Sequence, residues 1–312
     1  STLFPYTTLF RSPYSSPRNH YLKGLILQNE GATEAAEALF LQALEVAPDF
    51  HPALMRLATI RAFRQARVAE GVKLAEQAVA IDPRAPWMLL RPVYLYLELE
   101  DVAAARAFVA EQPESARAAL WLPICLFQGQ PERAADIQRA NPQRWSDGLA
   151  EDVEAYVIRD AAFASRQLAR ARAELQALPA TRSDLYRKVA LAQVSLALGD
   201  RQKAERLARE VVAEQAHPAL HQPRAIALAV LGEYDAAIER LERAFAGGAS
   251  VRWWYVFDRE PAFEPLWGNP RFAALAARAR AHAAAQRRVL EQMRERGEVP
   301  RRATRFSGTP PC

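Results

Sequence analysis

A helical pattern that returns along the chain restricts its fold more than any other feature. From Gly31 to Pro48, small residues stand at Gly31, Ala36 and Ala43, a bulky one at Phe40, and a proline closes the segment. The spacing returns at Gly199, Ala204, Ala208 and Val211, and again at Gly232, Ala237, Leu241 and Ala244. Self-similarity of this length predicts a solenoid of helical hairpins: one hairpin alone leaves an apolar face wet, and stacking on its neighbours buries it. The 312 residues would ordinarily suggest about two domains. A repeat stack removes that count, because its core is a continuous stripe.

The residues around these marks carry a family resemblance. Tyr21, Leu22, Leu25, Ile26 and Leu27 surround Gly24, which lies seven positions before Gly31. Ala192 and Ala225 hold the same place before Gly199 and Gly232, and Tyr234 follows Gly232 by two. The pattern resembles the tetratricopeptide repeat, a helix-turn-helix of about 34 residues that needs a small side chain where its helices touch. The resemblance implies an all-α fold, a right-handed α-α superhelix of about seven helical hairpins with an aromatic C-terminal cap and a long final helix. Looser pairs are expected at 52–83, 86–111, 115–140 and 149–178, with Pro92 kinking or shortening its helix.

The expected organisation is an extraneous or disordered segment at 1–16, the solenoid at 17–249, a helical cap at 250–300 and a disordered tail at 301–312. Thr2 to Ser12 resembles the translation of a sequencing-library adapter and is set aside from fold reasoning. The chain lacks an initiator methionine, so the expectation is a fragment of a longer product.

Tetratricopeptide domains that grip a peptide carboxylate place lysine and asparagine four apart on the first helices of their repeats. Here the matching pairs are Tyr21 and Leu25, Val189 and Gln193, and Gln222 and Ile226, so that clamp is missing from these copies. The concave groove is instead expected to be apolar and polar-neutral, suited to a protein or peptide ligand such as an amphipathic helix. Its candidate lining is Tyr21, Leu25, Gln28, Tyr186, Val189, Gln193, Gln222 and Ile226. Plain packing between neighbouring first helices is the other reading.

After Gly247 and Gly248 the pattern changes. Trp253, Trp254, Tyr255, Phe257, Phe263, Trp267 and Phe272 crowd a stretch broken by Pro261, Pro265 and Pro270. A terminal repeat must cover its open face, so a capping plug is expected, with a ligand groove as the alternative. A long helix then starts at Pro270, with Phe272, Leu275, Ala279, Ala283, Gln286, Leu290 and Met293 on one face. The run from Arg259 to Phe272 resembles the ending of some bacterial tetratricopeptide regulators, whose repeats follow a winged-helix or cyclase-type domain. From Arg271 to Arg305 ten arginines meet three glutamates, a net +7 against +5 for the whole chain. That imbalance reads as a docking surface for an acidic partner or as a solvated face.

Chemistry is not advertised. His217 and His221 stand four apart with Pro218 between and no third ligand, and no phosphate loop or nucleophile elbow occurs. No metal and no cofactor are expected. Cys125 lies in an apolar run and reads as a buried thiol, distant from Cys312. The longest apolar stretch is about half of a membrane span. The modest net charge implies no specific nucleic-acid partner.

The resulting expectation is a non-enzymatic protein- or peptide-binding scaffold, cytoplasmic or periplasmic, forming the C-terminal interaction or sensory part of a truncated bacterial regulator. A free-standing adaptor for envelope or secretion machinery, or the repeat region of an enzyme whose catalytic domain lies elsewhere, are the alternatives.

Overall fold

Seven inter-helix turns place one residue each in the left-handed backbone region, and together they set the architecture. These residues are Gly31, Ala66, Glu100, Gly129, Arg166, Gly199 and Gly232, with φ between +54° and +86°. In most of them the next residue's N–H reaches back to close the turn, as Ala32 does to the Leu27 carbonyl and Asp200 to the Ser195 carbonyl, both at 2.9 Å. This closure satisfies carbonyls that the ending helix would otherwise leave orphaned. Four of the seven are glycine. The other three adopt the same conformation without its steric freedom.

The computed structural model describes residues 16–83, 86–141, 148–178, 184–214, 221–248, 252–302 and 312. Its seven hairpins pair α1 (Pro17–Asn29) with α2 (Thr33–Val46), α3 (His51–Arg64) with α4 (Val68–Ile81), and α5 (Pro86–Glu98) with α6 (Val102–Ala110). They continue with α7 (Glu114–Phe127) and α8 (Pro131–Ala140), α9 (Gly148–Ser165) and α10 (Leu168–Ala177), α11 (Leu185–Ala197) and α12 (Arg201–Ala213), and α13 (His221–Val230) and α14 (Tyr234–Ala246). A short helix α15 (Trp253–Val256), a 3₁₀ turn (Pro261–Leu266) and the long α16 (Pro270–Glu295) follow. The chain is an all-α, tetratricopeptide-like solenoid.

Close approach explains the small residues. A Cβ added to Gly24 would lie 2.6 Å from the Phe40 ring, so nothing larger than hydrogen fits where α1 crosses α2. Ala192, Ala204, Ala225 and Ala237 are fully buried at the matching crossings. Pro92 lies inside α5, which continues through it from Pro86 to Glu98. Val93, Leu95, Tyr96 and Leu97 are fully buried on that helix, and this packing holds it together across the missing backbone donor.

The late hairpins return to the early ones. A Cβ on Gly248, after α14, would lie 2.7 Å from the Arg64 carbonyl oxygen at the end of α3. The C-terminal segment strengthens this closure: α16 packs on α4, and Gln286 accepts a hydrogen bond from the Ala69 N–H (3.2 Å). One continuous apolar cluster therefore runs from Leu54 on α3 to Val299 beyond α16. A second cluster, around Phe40 on α2 and Leu57 and Ile60 on α3, joins the first hairpin to the next.

The cysteines correct the expectation of a buried free thiol. Cys125 on α7 is joined to Cys312 by a disulfide across 187 residues of sequence. Linear distance concealed a pairing that only the folded path creates. The sequence readings at Thr2–Ser12, His217, Pro218 and Arg305 lie outside the described residues.

Candidate functional site

The first helices of the hairpins form the face on which a ligand groove is expected, and in the later hairpins the chain's own C-terminal segment occupies it. Trp253 Nε1 donates to the Glu98 carbonyl at the end of α5 (2.9 Å). The Trp254 ring stands 5.1 Å from Phe127 on α7, Tyr255 lies 5.1 Å from Tyr156 on α9, and the 3₁₀ turn packs on α13. The guanidinium of Arg252 lies 5.8, 5.3 and 5.4 Å from the rings of Tyr94, Tyr156 and Tyr186. A cation near three aromatic rings is held by their negative faces.

Beneath this segment lies a buried charge network. Arg159, on α9, is fully buried. Its Nη1 donates to Gln193 Oε1 (2.5 Å) and Glu260 Oε2 (3.1 Å), while its Nη2 meets Asp160 Oδ1 (2.8 Å) and the Tyr255 hydroxyl. Tyr255 donates in turn to Asp160 Oδ2 (2.6 Å). Glu260 also accepts from Gln193 Nε2 and from the Ala262 N–H, which caps the 3₁₀ turn. Burial opposes the charge on Arg159, but Asp160 and Glu260 beside it lift its pKa above the ordinary arginine value. Burial pushes Asp160 up to about 6 against the opposing pull of Arg159. With Arg159 and Glu260 fully buried and their charges mutually paired, this network fastens the C-terminal segment to α9 and α11.

The eight candidate groove residues therefore divide. Val189 and Ile226 are fully buried, Gln193 belongs to the charge network, and Gln222 donates to the Tyr156 hydroxyl at 3.4 Å. Tyr186 is half-buried against Arg252. Tyr21, Leu25 and Gln28 lie apart from these on α1 and are half-buried; Tyr21 packs against Phe40 and Phe50 at 5.8 and 5.6 Å. Beside them Leu22 and Ile26 are exposed. Sequence reasoning missed Arg159, Asp160, Arg252 and Glu260. An Arg-Asp pair set inside the apolar run Tyr156-Val157-Ile158-Arg159-Asp160-Ala161-Ala162 was the available signal.

The aromatic cap is mostly interior: Trp253, Trp254, Tyr255, Phe257, Phe263 and Phe272 are buried. Trp267 is half exposed beside a cleft of about 320 Å³ bordered by Phe257, Asp258 and Arg280. The arginine-rich helix is likewise mostly committed internally. Arg271 meets Glu242 and Asp235, Arg280 meets Asp258, Arg294 meets Asp101 and Glu291, and Arg302 meets Glu76 and Glu111. Counting charge along one helix could not see carboxylates supplied by α4, α14 and the turn before α6. Among the described residues, no group of three or more histidine, cysteine or acidic side chains is placed to hold a metal. No helix there is long and apolar enough to cross a membrane.

The stretch that forms α1, α2 and the following Phe50 decides the family of the first hairpin. Residues 17–50 match the tetratricopeptide repeat family. Tetratricopeptide repeats serve as protein-interaction scaffolds, and the remaining hairpins extend this one into the same kind of solenoid. A search of curated proteins found no match to the chain.

Proposed function

We propose that this chain is a non-enzymatic scaffold for a protein or peptide ligand, serving as the C-terminal interaction or sensory part of a bacterial regulator. The repeat match at 17–50 carries the interaction reading. The resemblance of the Arg259–Phe272 run to regulator tails supports the regulatory context. Within the solenoid, the ligand surface is the first hairpin. There the candidate side chains Tyr21, Leu25 and Gln28 stay half open, whereas on the later hairpins Gln193 meets Glu260, Tyr186 meets Arg252 and the 3₁₀ turn packs on α13. An amphipathic helix or extended apolar peptide fits such a surface, with Leu22 and Ile26 widening it.

The test is selection of binders from a random peptide library against the intact chain, followed by affinity measurement by fluorescence anisotropy. Leu25→Arg and the milder Gln28→Lys are expected to weaken selected peptides by at least about tenfold, the loss of one good contact. Peptides that bind both variants as well as the unaltered chain would remove the first hairpin from the proposal.

A further inference from the structure

Beyond α16 the chain turns at Gly297, where φ is +73°, and runs on to Arg302. Val299 anchors this stretch in the main apolar cluster. Among the described residues, the backbone from Val299 to Arg302 makes no hydrogen bond to other backbone. Arg302 is held by its side chain instead, and the place that receives it has the features of a guanidinium receptor.

Glu76 on α4 is only 5% exposed, and its two oxygens accept from Arg302 Nε (3.0 Å) and Nη2 (2.5 Å). That paired geometry is the fork by which a guanidinium differs from an ammonium. The Tyr96 hydroxyl on α5 donates to Glu76 Oε1 (2.6 Å) and fixes the carboxylate. Phe108 on α6 presents its ring 5.0 Å from the guanidinium carbon, and Glu111 at the rim accepts from Nη1. Lys73, on the same side of α4, is turned to Glu298 (2.6 Å). Beside the Arg302–Glu76 pair lies a cleft of about 350 Å³, bordered by Gln77, Ala80 and Pro83.

Two carboxylates converging on one place restrict what can occupy it. Were Arg302 to leave, Glu76 would lose the cation it is paired with while still buried, a costly state. Any replacement must therefore be a cation, and the fork and the aromatic ring select a guanidinium. We propose that this pocket between α4 and α6 recognises an arginine side chain of a partner peptide, and that Arg302 occupies it in the partner's absence. The cleft alongside takes the residues that flank the incoming arginine. Because its backbone is not tied down, Arg302 can yield its place while Val299 stays buried. The pocket lies apart from the first hairpin and does not depend on the ligand proposed there.

Chemical rescue in the full chain tests the pocket. Arg302→Ala is expected to lower Tm, and methylguanidinium chloride should restore it saturably by roughly 2–4 °C. Methylammonium at the same ionic strength should not, and the parent chain should respond to neither. A labelled peptide copying residues 298–303 supplies the second arm, read by fluorescence anisotropy. It should bind Arg302→Ala at least about tenfold more tightly than the parent chain, in which Arg302 competes. A second peptide, with lysine where the chain has Arg302, should bind that variant about tenfold more weakly than the first. Glu111→Gln lies on the exposed rim, where the fold tolerates change, and in the Arg302→Ala background should also weaken the first peptide about tenfold. Equal rescue by methylammonium would overturn the site. So would no peptide binding to either chain, equal binding to both, or binding indifferent to lysine and to Glu111→Gln.

Discussion

The candidate groove positions of the first hairpin and those of the sixth and seventh share one repeat register and meet different fates. On α1, Tyr21, Leu25 and Gln28 remain half-buried. On α11 and α13, Val189, Gln193, Gln222 and Ile226 are enclosed. What differs is the company that the later ones keep, since the segment from Arg252 to Leu266 lies along their side and brings Glu260 to Arg159. Register tells which way a side chain faces. It does not tell what arrives to meet it.

The sharpest way to break this contrast is Glu260→Ala. It strips the buried Arg159 of its partner on the C-terminal segment and should cost on the order of 3–5 kcal/mol in chemical denaturation. Gln28→Lys on the open hairpin should stay within about 0.5 kcal/mol. Equal costs for the two would mean that the later groove is no more closed than the first.

Next in size is a pH effect confined to the closed region. A free aspartate titrates near 4, whereas Asp160 is pushed up to about 6. Between those values the native state holds a proton that the unfolded chain has released. The stabilisation this proton brings is complete below about pH 4 and is lost as pH rises through 6; the gap corresponds to roughly 2–3 kcal/mol. Asp160→Asn should therefore gain stability relative to the parent chain from pH 4 to pH 7. A constant difference between the two denaturation series would show that Asp160 titrates normally.

Packing is common to both regions. Ala237→Leu is expected to cost about 1–3 kcal/mol through overpacking at a fully buried crossing, and an unchanged Tm would contradict the proposed register. The smallest effect is a gain. Arg166→Gly removes side-chain strain at φ +57° on an exposed turn and should stabilise by about 0.5–1 kcal/mol, measured as a shifted denaturation midpoint.

That last position explains how far the sequence could be read. Gly31, Gly199 and Gly232 announce their turns, because glycine is the residue such a turn prefers. Ala66, Glu100 and Arg166 perform the same turn with residues that carry no such signal, so the intervening hairpins look irregular while folding alike. The network around Arg159 and the Cys125–Cys312 bond were not legible, because their partners lie 101 and 187 residues away. No local pattern encodes a meeting of that range.

A stack held only by neighbouring contacts can fray hairpin by hairpin from either end. Here α16 rests on α4, and Trp253 is hydrogen-bonded to a carbonyl 155 residues earlier. Loss of the final helix should thus be felt in the second hairpin, and hairpins two to seven are expected to open together. Hydrogen exchange in α4 and α13 should report one common protection level. Folding must likewise wait until the last-made segment reaches the first-made surfaces, a loop closure that makes this solenoid slower to complete than its local helices suggest.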